Sequence, residues 1–152
     1  MFRGKLSKYS TAQRWNIAVA LIIFILVTAF YLFRSAEPMK LGFEEDHMTI
    51  TGPSGAPFVV TVDYQDILSV SEADTLDPGV RLEGLDTERC RFGSWQNDAY
   101  GNYTLCVSPA FPNHIVLETV NGIVAFNYES ADSTQHLYSA LVEMLRERGW
   151  EV

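Results

Sequence analysis

Residues Trp15 to Phe33, WNIAVALIIFILVTAFYLF, constrain this chain more than any other stretch. They form 19 residues with no charge, no Gly and no Pro, and only Asn16 and Thr28 are polar. As a helix rising ~1.5 Å per residue the segment is about 28 Å long, close to the ~30 Å hydrocarbon thickness of a bilayer. Trp15 and Tyr31 stand near its ends, where amphipathic rings favour the membrane–water interface. A buried core helix of this length would carry a polar stripe, which is missing here. A cleavable signal peptide is the other alternative, with Arg3, Lys5, Lys8 and Arg14 as its basic start. Signal-peptide apolar cores run only about 7 to 15 residues, however, and Arg34 falls where a small residue is needed for cleavage. The expectation is a retained single-pass anchor in the lipid bilayer of the cell membrane. Residues 1–14 carry four Lys/Arg and no acid, whereas Arg34 to Asp46 carries two basic residues and four acids. Basic flanks stay inside, so the N-terminus is expected in the cytoplasm and the C-terminal domain outside it.

The expected domains are a basic tail (1–14), the transmembrane helix (15–33), a linker (34–40) and one globular domain (41–152), a length that suits a single core. Residues 41–152 hold five Arg, no Lys and 18 Asp/Glu, a net charge of 5 − 18 = −13. Such a domain is repelled by phosphate backbones and anionic headgroups, which argues against nucleic acid and phosphorylated lipids as partners. The two cysteines form no CxxC pair, and three scattered histidines complete no zinc set. If Arg89–Phe92 and Tyr103–Val107 form a hairpin centred near Asp98, Cys90 lies opposite Cys106. The two could then form a disulfide outside the cytoplasm; two buried free thiols are the alternative.

After the linker RSAEPMK, the domain reads as strands. Leu41–Phe43, Met48–Thr51, Phe58–Val62 and Ile67–Ser71 alternate or are β-branched, with turn chemistry at Gly52-Pro53-Ser54-Gly55. Glu72–Gly79 is a polar connection, and Val80–Phe92 can hold one or two strands. Gly93–Asn102 (GSWQNDAYGN) is loop by composition, followed by strand Tyr103–Val107. His114–Tyr128 reads as a hairpin, in which Asn121-Gly122 supplies the two positive-φ residues of a type I′ turn. A closing helix has Ser130 as N-cap, Asp132 in its first turn, Leu137, Leu141, Met144 and Leu145 as an apolar stripe, and Gly149 as its stop.

Several of these stretches together resemble one family. VDYQDILSV (Val62–Val70), RFGSW (91–95) with YGNYTLCV (100–107), HIVLETVNGIVAFNYES (114–130) and LYSALVE (137–143) are similar in order and spacing to bacterial pleckstrin-homology (PH)-like domains. The likeness covers roughly 41–148. It implies an α+β, mainly β, PH-like barrel of about seven antiparallel strands, closed by one C-terminal helix and often joined to a membrane anchor. Met48–Thr61 holds no basic residue and the domain no lysine, so phosphoinositide binding is not carried over.

No residue set argues for catalysis, a cofactor or a metal. Glu44-Glu45-Asp46-His47 is the densest ligand cluster, but consecutive turn residues diverge, and hard-cation loops use alternate spacing. Asp63, Asp66, Asp74, Asp77 and Glu83 show no fixed acid–base pair. His114 and His136 read as lone surface residues, no phosphate-cradling loop opens a helix, and Asn102-Tyr103-Thr104 is only a formal glycosylation sequon. Phe92, Trp95, Tyr100 and Tyr103, spread among Gly and Asn, are a candidate partner-contact loop; the alternative is a small core beneath a long loop. The sequence thus reads as a membrane-anchored, non-enzymatic interaction or scaffold module with an unknown protein partner. An accessory subunit of a larger membrane complex and an enzyme with an unrecognised site are the other readings.

Overall fold

The computed structural model describes residues 11–34, 39–53 and 58–150, with side chains in the first helix described for residues 15–30. The basic residues Arg3, Lys5 and Lys8, the centre of the 34–40 linker, Ser54-Gly55 of the expected turn, and the Tyr31 side chain lie outside the described residues. The chain divides into two units, Met1–Glu37 and Pro38–Val152.

The first unit holds helix α1, Thr11–Arg34, 24 residues long. Seven consecutive apolar side chains, Leu21 to Val27, are exposed, so apolar surface runs all round the helix. Thr28 Oγ donates to the Phe24 carbonyl at 2.8 Å, which satisfies that hydroxyl within the helix. Among the described residues no helix is long and apolar enough to cross a membrane; the described side chains of α1 span about 24 Å of rise.

The second unit builds two sheets and a helix. Strands β1 (Lys40–Phe43), β2 (His47–Thr51) and β3 (Val59–Asp63) form an antiparallel three-stranded sheet. A 3-10 turn, Tyr64–Asp66, leads into β4 (Ile67–Ala73). Strands β5 (Val80–Asp86), β6 (Arg91–Asn97), β7 (Gly101–Val107), β8 (His114–Thr119) and β9 (Gly122–Phe126) follow. With β4 they form a six-stranded sheet ordered β4-β8-β9-β7-β6-β5, and α2 (Ala131–Glu147) closes the chain. A mainly β domain with one C-terminal helix agrees with the expected architecture. The strand count and pairing do not. There are nine strands among the described residues rather than about seven, and β7 pairs with β9 in parallel, Leu105 opposite Ala125. The difference arises because the 108–113 connection carries β8 past the neighbouring position, and the β8–β9 hairpin returns β9 into the gap.

A buried amide holds that arrangement. Asn127, fully buried just after β9, accepts from Ser108 N at 2.8 Å and donates to the Ser108 and Phe111 carbonyls at 3.0 and 3.3 Å. One side chain thus satisfies three backbone groups of the connection.

The period-2 alternation of the strands separates two cores. Phe92, Cys106, Ile115, Leu117, Val124 and Phe126 face Met48, Ile50 and Val62 of the smaller sheet and Leu141 and Leu145 of α2. On the opposite face Trp95, Tyr103, Leu105, Val107, Val116 and Ala125 form a second cluster with Ala73 and Leu76. Its cover is the segment 74–79, which joins β4 to β5 at opposite edges of the sheet and therefore crosses it as a strap. The Tyr103 hydroxyl donates to the Pro78 carbonyl, and Asn97 Nδ2 to the Asp77 carbonyl, at 3.0 and 2.7 Å.

Two local expectations change. Gly93–Asn102 is mostly strand, because it forms the β6–β7 hairpin. Gly93 lies opposite Gly84, both at positive φ, and a Cβ on either would meet the other strand's backbone at 2.3 and 2.1 Å. The β8–β9 loop is Val120-Asn121, since Thr119 pairs with Gly122, and only Gly122 has positive φ. Asp66 causes this slip: its carbonyl accepts from Val120 N and its carboxylate from Asn121 Nδ2, each at 2.9 Å. The α2 expectations hold. Ser130 Oγ accepts from Ser133 N at 3.0 Å, Leu141 and Leu145 are buried, and Gly149 takes φ 82° beyond the helix.

Asn127→Ala leaves Ser108 N and the Phe111 carbonyl without a partner, while the Ser108 carbonyl keeps its bond from Phe111 N, and is expected to cost about 2–4 kcal/mol. It should appear as a lower urea midpoint at unchanged slope. Gly93→Ala combines a disfavoured φ with backbone overlap and is expected to cost about 2–4 kcal/mol in the same assay.

Candidate functional site

Three segments far apart in sequence converge on one pocket of about 640 Å³, lined by Glu45, Asp46, Asp63, Gln65, Arg148 and Trp150. The β1–β2 turn supplies Glu45 and Asp46 and is closed by Glu44 N donating to the His47 carbonyl at 2.9 Å. The corner after β3 supplies Asp63 and Gln65, and Tyr64 N donates to the Asp46 carbonyl at 2.9 Å, tying corner to turn. The third wall comes from the end of α2. Arg148 Nη1 donates to the Glu45 carbonyl at 2.6 Å, and its guanidinium lies 4.9 Å from the centre of the Tyr64 ring. Trp150 N donates to the Leu145 carbonyl, which folds the chain back over the helix end.

The pocket is acidic with one cation. Asp46 Oδ1 lies 2.6 Å from His47 Nδ1. That hydrogen bond holds the Asp46 carboxyl below its ordinary range and raises the His47 imidazole above its own. Tyr64 is only 1% exposed and its hydroxyl has no hydrogen-bond partner. Burial raises its pKa and so disfavours its ionisation, with Arg148 opposing. Among the described residues no group of three or more His, Cys, Asp or Glu is placed to hold a metal ion.

The residues singled out from sequence lie elsewhere. Phe92 faces the main core, while Trp95, at 2% exposure, and Tyr103 belong to the core under the strap, with half-buried Tyr100 against them. The expected contact loop is therefore a hairpin whose aromatics point to opposite faces of a covered sheet. Burial pushes the Tyr103 phenol up to about 12. Cys90 and Cys106 are buried free thiols. Phe92, not Cys90, lies opposite Cys106, because the hairpin turns one residue later than its composition indicates and Arg91 pairs with Val107. Burial pushes the Cys90 thiol up to about 11 and raises Cys106 further, which keeps both protonated. His114 is likewise buried rather than on the surface, and burial lowers its pKa.

Sequence reasoning found the acidic turn but not the pocket. Nothing local in the sequence links Arg148 to Glu45, 103 residues away. The one available signal was the shortage of cations: five Arg must serve 18 acids.

The Asp46–His47 pair predicts a specific titration. The raised His47 value means its contribution is fully present below the ordinary 6.5 and is lost as pH rises through the folded midpoint. The lowered Asp46 value contributes above the ordinary 3.8 and is lost as pH falls through its own folded midpoint. Proton NMR of the His47 ring is expected to give a midpoint above 6.5 that returns toward 6.5 in Asp46→Asn.

A family model for the bacterial PH domain matches residues 39–135, from just before β1 into the start of α2. Comparison with curated proteins and with solved structures returns no match.

Proposed function

We propose that this chain, which belongs to the bacterial PH domain family, is a non-enzymatic interaction module anchored in the cell membrane by α1, with its PH domain outside the cytoplasm. The observation that carries the anchor is the unbroken exposure of Leu21 to Val27. A helix apolar all round is stable in lipid or in a protein core, and water favours neither its side chains nor its isolation. The sequence carries no charge from Trp15 to Phe33. The helix backbone continues over 24 residues, of which the uncharged Trp15–Phe33 stretch accounts for about 28 Å of rise. The internal bond of Thr28 suits a hydrocarbon setting, where every polar group needs a protein partner.

Charge supports the orientation and narrows the partner. Four Lys/Arg precede the apolar run and only Arg34 and Lys40 lie in the flank after it, the asymmetry that keeps an N-terminus inside; the domain beyond carries a net −13. The same −13 disfavours phosphorylated headgroups, so the reading is a module for protein partners and not for phosphoinositides.

Fractionation with a tag placed after Val152 tests both parts. The chain is expected to stay with membranes through alkaline carbonate, and protease added to intact spheroplasts is expected to remove the tag. Release into the soluble fraction overturns the anchor; protection until lysis overturns the orientation.

A further inference from the structure

A sheet edge offers backbone hydrogen bonds to any extended chain, and folds block their edges with bulges, charges or short strands. The edge strands among the described residues are β1, β3, β4 and β5, and three of them are blocked. β1 is four residues long and begins with Lys40. β4 has a bulge between Ile67 and Ser69. β5 has another between Arg81 and Glu83, and Arg81 Nη1 donates to the Gly84 carbonyl at 3.4 Å. β3 has none of these devices. Its register with β2 runs unbroken from Val59 to Asp63, and Phe58 to Val62 holds no charge, Gly or Pro. Val59, Val60, Thr61 and Val62 are all β-branched, which suits a pleated strand.

The hydrogen bonds show which groups this edge presents. Gly52 N donates to the Phe58 carbonyl at 3.1 Å, and Tyr64 N to the Asp46 carbonyl at 2.9 Å. Both pairs continue the β2–β3 register, so alternate residues Val60 and Val62 bond to β2 as well. The N–H and C=O groups of Val59, Thr61 and Asp63 therefore point away from β2. No strand among the described residues lies beyond them. Val59 is 59% exposed, and Thr61 and Asp63 are exposed.

The side chains define the occupant. Opposite Val60 and Val62 an antiparallel guest turns its side chains inward, beside the main core, where Val60 and Phe58 are only partly buried. Apolar residues extend the packing there. Opposite Val59, Thr61 and Asp63 the guest's side chains stand on the outer face. Asp63 gives that face a negative end, so a cation fits across from it, and a domain of net −13 attracts one. A second copy fits worse. Pairing the same outward groups across a two-fold axis at Thr61 sets Asp63 against Val59 and brings two −13 domains together. We infer that the β3 edge takes an extended segment of a protein partner as an added antiparallel strand. The segment carries a lysine or arginine opposite Asp63 and apolar residues opposite Val60 and Val62. The inference deepens the interaction-module reading and does not rest on the anchor, so the titration below and the fractionation above fail independently.

The full chain in zwitterionic micelles is titrated with acetyl-Lys-Val-Thr-Val-Thr-amide and read by NMR at the Val59 and Thr61 amides. Both signals are expected to move downfield and to exchange more slowly with solvent. N-methylation of the peptide's threonines, whose amides face β3, is expected to weaken binding about tenfold. N-methylation of its valines, whose amides face solvent, is expected to change binding less than about twofold. Glutamate in place of lysine is expected to weaken it about fivefold. Thr61→Pro removes an outward N–H without touching the β2 ladder, and is expected to abolish the response at Val59. No response at either amide, equal weakening by the two methylation patterns, or a response that survives Thr61→Pro overturns the inference. Equal binding of the glutamate peptide overturns the assignment of a basic partner. Self-association of the chain that shifts the same amides without peptide gives the edge to a second copy and also overturns it.

Discussion

The side-chain amide of Asn127 sits where the six-stranded sheet departs from a simple meander. Placing β9 between β7 and β8 leaves the 108–113 connection to pass over the end of the strand that fills the gap. Ser108 N and the Ser108 and Phe111 carbonyls take no part in the strand ladder. Two donors and one acceptor on a single buried residue meet the need, and Asn127 N also donates to the Cys106 carbonyl at 3.3 Å, extending the parallel pairing. With that junction fixed, the register of β7 against β9 is fixed, and so is the face that each central residue presents. Phe126, Cys106 and Leu117 then meet α2 and the smaller sheet, while Leu105, Val116 and Ala125 turn the other way.

Two covered faces explain the composition of the central strands. HIVLET in β8 is apolar at both parities from Ile115 to Leu117, as in strands buried on both sides, and only Glu118 is exposed. Edge strand β5 shows the opposite outcome: Val80 and Leu82 are exposed, because neither the strap nor the smaller sheet reaches them. The two glycines at the β5–β6 crossing belong to this geometry, since they let the strands approach closely while turning the edge away.

What the sequence disclosed followed physical range. Interactions within a turn or two were legible: the apolar helix, the Ser130 cap, the Leu141–Leu145 stripe and most strand positions. Failures came where a distant group overrode a local preference. Asn121-Gly122 would make a type I′ turn alone, but Asp66 holds the loop one residue earlier. GSWQNDAYGN has the composition of a loop, yet Gly93 is there for Gly84, and Trp95 and Tyr103 for a core under the strap. The Cys90–Cys106 alignment rested on where that loop was centred, and a small shift of the turn puts Phe92 opposite Cys106 instead. The pocket was least visible, because its cation and its acids are joined only in the fold.

The strap also orders events in time. Among the described residues β4 pairs with β8 alone, so Val70 must wait for Leu117 to be synthesised. At about 5–20 residues per second that delay is roughly 2–9 s. The β5–β6–β7 meander completes its own pairing during the interval, while β4 stays a sticky, unsatisfied edge beside a finished hairpin. The nascent chain must keep that edge from other polypeptides until its last third emerges, a burden that falls on the growing chain and disappears from the mature molecule.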